Sequence, residues 1–327
     1  MKERNISIDI LKFLAAILIT NSHMDLLYAK YDFLATGGTI GDVLFFFCSG
    51  FTLFMKPFND GIANFLNWYK RRINRIYPTV IAVALIACVF FNINTNIIDI
   101  FIQGGGWFIQ CIMLYYIIFY FIGLYAKDKL YYIIVLISIA SCIWFFLLDR
   151  PLGFNMYEKT DAGYLKWLLY SIYMLQGAII GSNINRLTIN PKKDIIMLFL
   201  CLICFYSFYI LPRKIYAIEF LQIFNFIPLW GVVLYFYKVC SSNWVKNIYN
   251  KKIVYFTVRF IGGLCLEIYL IQFYLFTDKM NNLFPLNLII MFIIIIIAAY
   301  LTRCISRIFS QTFKDDPYDW RRIIDWK

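Results

Sequence analysis

The residues best suited to chemistry lie in the first apolar run, 8–25, IDILKFLAAILITNSHMD, which holds the single histidine of the chain, His23. Lys12 stands eleven positions earlier. On an α-helix eleven steps turn through about 1100°, so the two residues fall within about 20° of one face and about 16 Å apart along the axis. Asp9, three before Lys12, shares that face. Ionisable groups in a membrane helix are costly and face a protein interior or a wet cavity. An imidazole, which titrates near neutral pH, can take a proton there, so this stripe is a candidate catalytic site. The remaining helices are expected to wall it.

The elements that must position it are membrane helices. Of the 327 residues, 62% are hydrophobic and 15% charged, and the mean hydropathy is +0.70. Such a chain is not a soluble domain. The apolar runs match the roughly 20 residues needed to cross a bilayer, and they are too long and too little alternating for barrel strands. The expected fold is therefore an all-α integral membrane bundle of about ten spans, over 8–29, 39–55, 76–94, 107–125, 130–148, 163–183, 195–211, 216–237, 253–276 and 285–306. The second run is short and carries Gly41, Asp42, Ser49 and Gly50, a composition suited to close helix packing.

Charge orients this bundle. With the N-terminus inside, most of the 31 lysines and arginines fall in cytoplasmic segments, from Lys2, Arg4 and Lys56 to Arg303, Lys314 and Lys327. The outer loops hold only Lys30, Arg150, Lys159, Arg213, Lys214 and Lys279, while Lys12 and Lys166 lie within spans. The positive-inside rule then places both termini in the cytoplasm. The net charge of +12 reads as anchoring to anionic headgroups, not as nucleic-acid binding. The first run lacks a small-residue cleavage site and is read as a retained signal-anchor. The nine cysteines lie in or beside apolar runs as small buried hydrophobes, and Cys201-x-x-Cys204, with one histidine in the chain, is a poor metal or redox site.

A compact basic cluster follows the second run in FLNWYKRRINRIYP, 65–78. Trp68 and Tyr69 suit the headgroup layer. Arg72 and Arg75, three apart, can converge on one multiply charged ligand, and arginine suits bidentate phosphate contact. An ordinary cytoplasmic stop signal would read the same way.

Taken together, Lys12-x10-His23, then GDVLFFFCSGF over 41–51, then KRRINRIYP over 70–78 resemble the opening of the membrane acyltransferase type 3 family. GGGWFIQCIMLYY over 104–116 is similar to that family's Trp-Phe entry to the fourth span, and LEIYLIQ over 266–272 to its late S-x-x-Y-L-x-H stretch. Two departures stand out: Lys12 where many members have arginine, and Gln272 where a second histidine is common. The chain is expected to be a single acyltransferase-3-like domain with no appended soluble domain.

The resemblance implies transfer of an acyl group, usually acetyl, from cytoplasmic acyl-CoA to a hydroxyl of a cell-surface glycan or lipid-linked sugar. It implies acyl-CoA as co-substrate with no bound cofactor and no metal. The CoA phosphates would stay at the inner face against Arg71, Arg72 and Arg75, with Lys12 just inside, and the pantetheine arm would span the distance to His23. There His23 would act as general base or accept the acyl group itself. Ser49, Trp107 and Tyr269 are candidate donors to the thioester oxygen. Glu267, near Tyr269 and Gln272 in sequence, would orient His23 or bind sugar hydroxyls. The composition, rich in Ile, Asn, Tyr and Phe, suggests an AT-rich bacterial genome and hence a bacterial plasma membrane. Two other readings share the architecture: a carrier or flippase for a lipid-linked glycan, and a non-catalytic subunit of a polysaccharide synthesis or export system.

Overall fold

Every apolar run noted above is helical in the computed structural model, which describes residues 5–55, 61–93, 96–102, 104–312 and 317–326. Lys2, Arg4, Lys56, Lys314 and Lys327 lie outside the described residues. The helices are α1 (Ile6–Ser22), α2 (Gly38–Phe54), α3 (Phe65–Phe91), α4 (Ile97–Ile102), α5 (Gly106–Tyr125), α6 (Leu130–Leu147), α7 (Lys159–Ala162) and α8 (Leu165–Ser182). They continue with α9 (Pro191–Lys214), α10 (Phe226–Cys240), α11 (Asn243–Tyr249), α12 (Lys252–Gly263), α13 (Cys265–Ile271), α14 (Leu286–Thr312) and α15 (Trp320–Ile324).

Among the described residues seven helical stretches are long and apolar enough to cross a membrane, and α12 with α13 makes an eighth if the bent pair is one span. The other two expected spans are helices of a different character. At 17 residues α1 reaches only about 26 Å at 1.5 Å per residue. Over its length α8 is almost wholly buried and carries Lys166, Ser171 and Gln176 on its buried surface. The expected span 8–29 also stops early. Asn21 donates to the carbonyls of Leu34 and Thr36, both at 2.9 Å, and accepts from the Tyr28 hydroxyl at 2.6 Å. One amide thus folds the chain back into 3₁₀ turns after Ser22.

The chain divides into two compact units, each assembled from three separate segments. The first comprises Met1–Leu11, Asp42–Asn59 and Phe121–Val254. In it α2 lies against α8 with little side chain between them: a methyl on Gly50 would collide with the Met174 carbonyl, and one on Gly177 with the Phe47 carbonyl. Small residues admit such backbone approach. Several polar groups buried in this unit are paired. The Tyr170 hydroxyl donates to Asp42 Oδ2 (3.2 Å) and lies under the Lys166 ammonium. Asp194, fully buried, takes Lys238 at 2.5 Å, and Arg150 meets Glu219 at 2.9 Å. Lys238 and Arg150, expected as loop charges, are therefore ion-paired.

The second unit comprises Lys12–Gly41, Asp60–Tyr120 and Tyr255–Lys327. Here α3 packs on α14, with the Thr79 and Ser306 hydroxyls 3.2 Å apart, and α13 packs on both. Asn287 Nδ2 donates to the Leu27 carbonyl at 2.8 Å, tying the turns after α1 to the start of α14. The run 253–276 is not one straight span. It bends by 54° between α12 and α13, just after Gly262 and Gly263.

The cysteines divide by environment. Cys48, Cys111, Cys240 and Cys265 are buried as expected, but Cys88 and Cys204 are exposed, and all nine are free thiols.

Candidate functional site

Within the second unit lies a cavity of about 540 Å³, a size suited to a small-molecule ligand. Four stretches build it. The turn after α1 supplies His23; α3 supplies the smooth wall of Val80, Val83 and Ala84; α4 and the glycine loop supply Asp99, Ile100 and Gly104 to Trp107; α13 and its extension supply Tyr269, Leu270, Phe273 and Tyr274.

His23 follows the last helical residue of α1, and its N–H still bonds the Thr20 carbonyl at 3.1 Å. The helical spacing that relates it to Lys12 therefore holds almost to the end. Its ring is partly exposed and meets the edge of Phe273 with centroids 4.7 Å apart at 64°. Phe273 in turn stands perpendicular to Tyr269 at 5.8 Å, and Tyr269 packs on Phe108 at 5.2 Å. The imidazole is thus held by an aromatic wall inside the cavity. The glycine loop turns tightly into α5: Gly105 and Gly106 adopt φ of +84° and +65°, which side-chain-bearing residues rarely adopt. That turn sets Trp107 at the cavity from the first turn of α5.

The cations assemble elsewhere in the same unit. All of the expected cluster lies within α3, whose helix begins at Phe65, well before the expected start at 76. Arg71 and Arg75 are exposed, whereas Arg72 is partly buried, its guanidinium over Trp68 at 4.8 Å and Tyr116 at 5.4 Å. Lys12, Arg75, Glu267 and Arg303 all lie near Cys265, at the start of α13. So α1, α3, α13 and α14 bring four charges to one neighbourhood, and α13 leads from it to the cavity.

Not every candidate reaches the cavity. Its walls, among the described residues, include His23, Trp107 and Tyr269, but not Lys12, Arg71, Arg72, Arg75, Glu267 or Gln272. Glu267, expected to orient His23 or to bind sugar, instead has both carboxylate oxygens engaged by Arg303, at 3.2 Å and 2.9 Å. A carboxylate so committed has its charge neutralised locally. Gln272 is fully buried, and neither amide atom finds a hydrogen-bond partner. Asp9 and Ser49 belong to the first unit, where Asp9 accepts from the Tyr249 hydroxyl at 3.4 Å and the Ser49 carbonyl accepts from Thr52. Among the described residues no group of three or more His, Cys, Asp or Glu side chains is placed to hold a metal.

Three features escaped sequence reasoning. Asp99 lies in a short helix that reads as outer loop. Phe273 and Tyr274 read as generic span aromatics. Arg303, counted as a loop cation, sits inside α14 and is buried with Glu267, at side-chain exposures of 11% and 8%. A signal for the last existed: the Gly262-Gly263 pair inside an apolar run marks a break whose open carbonyls need a donor.

No curated protein and no solved structure gives a significant match to this sequence. A family model described as an acyltransferase domain matches residues 5–304, nearly the whole chain. With a multi-pass helical architecture and the lone histidine, just after α1, lining a cavity, the chain belongs to the acyltransferase 3 family.

Proposed function

We propose that this membrane acyltransferase is an O-acyltransferase that moves an acyl group, acetyl as the simplest, from cytoplasmic acyl-CoA to a hydroxyl of a cell-surface or lipid-linked carbohydrate. The observation that carries this reading is the position of His23: it is the chain's only imidazole, and it faces a cavity whose other walls are aromatic and aliphatic side chains, glycine backbone and one carboxylate. Aromatic faces with a single carboxylate, Asp99, suit a sugar better than a long lipid. In this reading α1 and α8 also cross the bilayer, giving ten spans with both termini in the cytoplasm, in a bacterial plasma membrane.

The chemistry follows from the residues. CoA, too highly charged to enter hydrocarbon, stays against Arg71, Arg72 and Arg75 with Lys12 beyond them, and the slender thioester arm reaches inward. His23 takes the proton of the acceptor hydroxyl as its oxygen attacks the thioester carbonyl. The developing oxyanion receives a hydrogen bond from the Tyr269 hydroxyl or the Trp107 N–H; Ser49 lies in the other unit and is the weaker candidate. Collapse breaks the C–S bond, and the imidazolium returns its proton to the departing thiolate. An acyl-histidine route, in which His23 is acylated first and then attacked by the acceptor, uses the same residues in two steps.

The test is a labelled-donor assay. Membranes containing the protein should move label from acetyl-CoA to a glycan fraction, and membranes without it should not. Glycan movement across the membrane with no dependence on acyl-CoA would instead support a carrier.

A further inference from the structure

We propose that Arg303 and Glu267 form a positioning clamp that fixes the bend between α12 and α13 and thereby sets the aromatic wall against His23. The functional part of this inference rests on the reading of His23 as the reacting group.

A bent helix leaves backbone carbonyls without partners at the break. Here the guanidinium of Arg303, on α14, donates through Nη2 to the carbonyl of Gly263, the last residue of α12. The same guanidinium grips Glu267, one turn beyond the break, through Nε and Nη2. One planar group therefore holds both sides of a 54° bend. Downstream of Glu267 the chain carries Tyr269 and then Phe273, whose edge meets the imidazole. Any change in the bend angle swings those rings. Positional errors of about 1 Å near a reacting group are enough to cost orders of magnitude in rate. Arginine suits this place because its planar fork presents donors in fixed directions to a carbonyl and a carboxylate together.

A purely structural ion pair makes a different forecast. A buried pair can often be replaced by apolar residues of similar volume without loss of stability, but no apolar side chain can donate to the Gly263 carbonyl. The double variant Arg303→Met with Glu267→Leu separates the two cases. Since His23 is the only histidine, its carbethoxylation by diethyl pyrocarbonate, followed by peptide mass spectrometry on the full chain in detergent, reports the packing around the ring. The double variant should still fold but modify His23 at least threefold faster than the wild type, and it should transfer label from acetyl-CoA at least tenfold more slowly. If the double variant does not fold, Arg303→Lys, which keeps the charge and loses the fork, should show the same acceleration. A folded variant whose His23 reacts no faster than in the wild type overturns the clamp. Acceleration in a protein that transfers no label even as wild type leaves the clamp standing and removes the transferase reading.

Discussion

At the scale of single residues, Arg72 is the most constrained of the cations proposed to bind acyl-CoA, because its guanidinium lies over both Trp68 and Tyr116. Lysine keeps the charge but loses the plane that stacks on those rings and pairs with phosphate oxygens. Arg72→Lys is expected to raise the KM for acyl-CoA about tenfold, worth about 1.4 kcal/mol of binding, while leaving kcat within about twofold. Steady-state kinetics over acyl-CoA concentration would check this, and an unchanged KM would remove Arg72 from the donor site. Residues such as Arg72, Lys12 and His23 were legible from sequence because a charge or imidazole beside an apolar run is conspicuous. Glu267 was legible as unusual but not in its role, since its partner lies 36 positions away on α14. No local pattern connects the two. Asp99 was hidden for the opposite reason: a carboxylate in a loop looks like any solvated one.

At the scale of elements, apolar runs predicted helices reliably because lipid forces backbone groups to bond within a segment. Their interruptions were harder to read. α1 ends at Ser22 because of what Asn21 binds seven, thirteen and fifteen residues later, and the bend after Gly263 is completed by an arginine from α14. Close helix packing, by contrast, was visible in the small residues of the second run. That packing carries its own prediction. A methyl at Gly177 meets the Phe47 carbonyl, and backbone cannot yield as a side chain can, so Gly177→Ala should destabilise the first unit by about 1–3 kcal/mol. A lowered midpoint in thermal unfolding of the detergent-solubilised protein is expected, and an unchanged midpoint would mean that α2 and α8 do not approach this closely.

At the scale of the whole molecule, composition gave the class of protein without ambiguity, and the asymmetry of lysine and arginine gives an orientation. Part of that charge is not free to orient anything, since Arg150, Lys238 and Arg303 are consumed in ion pairs. Enough remains, including Lys70, Arg71 and Arg75 on the exposed part of α3, to support the proposed orientation, in which the N-terminal end of that helix lies at the cytoplasmic surface. A fluorescent protein fused after residue 327 should therefore be bright, and a periplasmic phosphatase fused there should be inactive. The reverse pattern would place the basic cluster outside, where acyl-CoA does not reach it.

The central claim is that one imidazole in an internal cavity carries the acyl transfer. It is tested most directly by measuring label transfer from acetyl-CoA to glycan in membranes containing equal amounts of folded wild-type and His23→Ala protein. The account predicts loss of at least a hundredfold, as expected when a general base or nucleophile is removed, with an unchanged melting midpoint. Transfer at the wild-type rate by folded His23→Ala would contradict it.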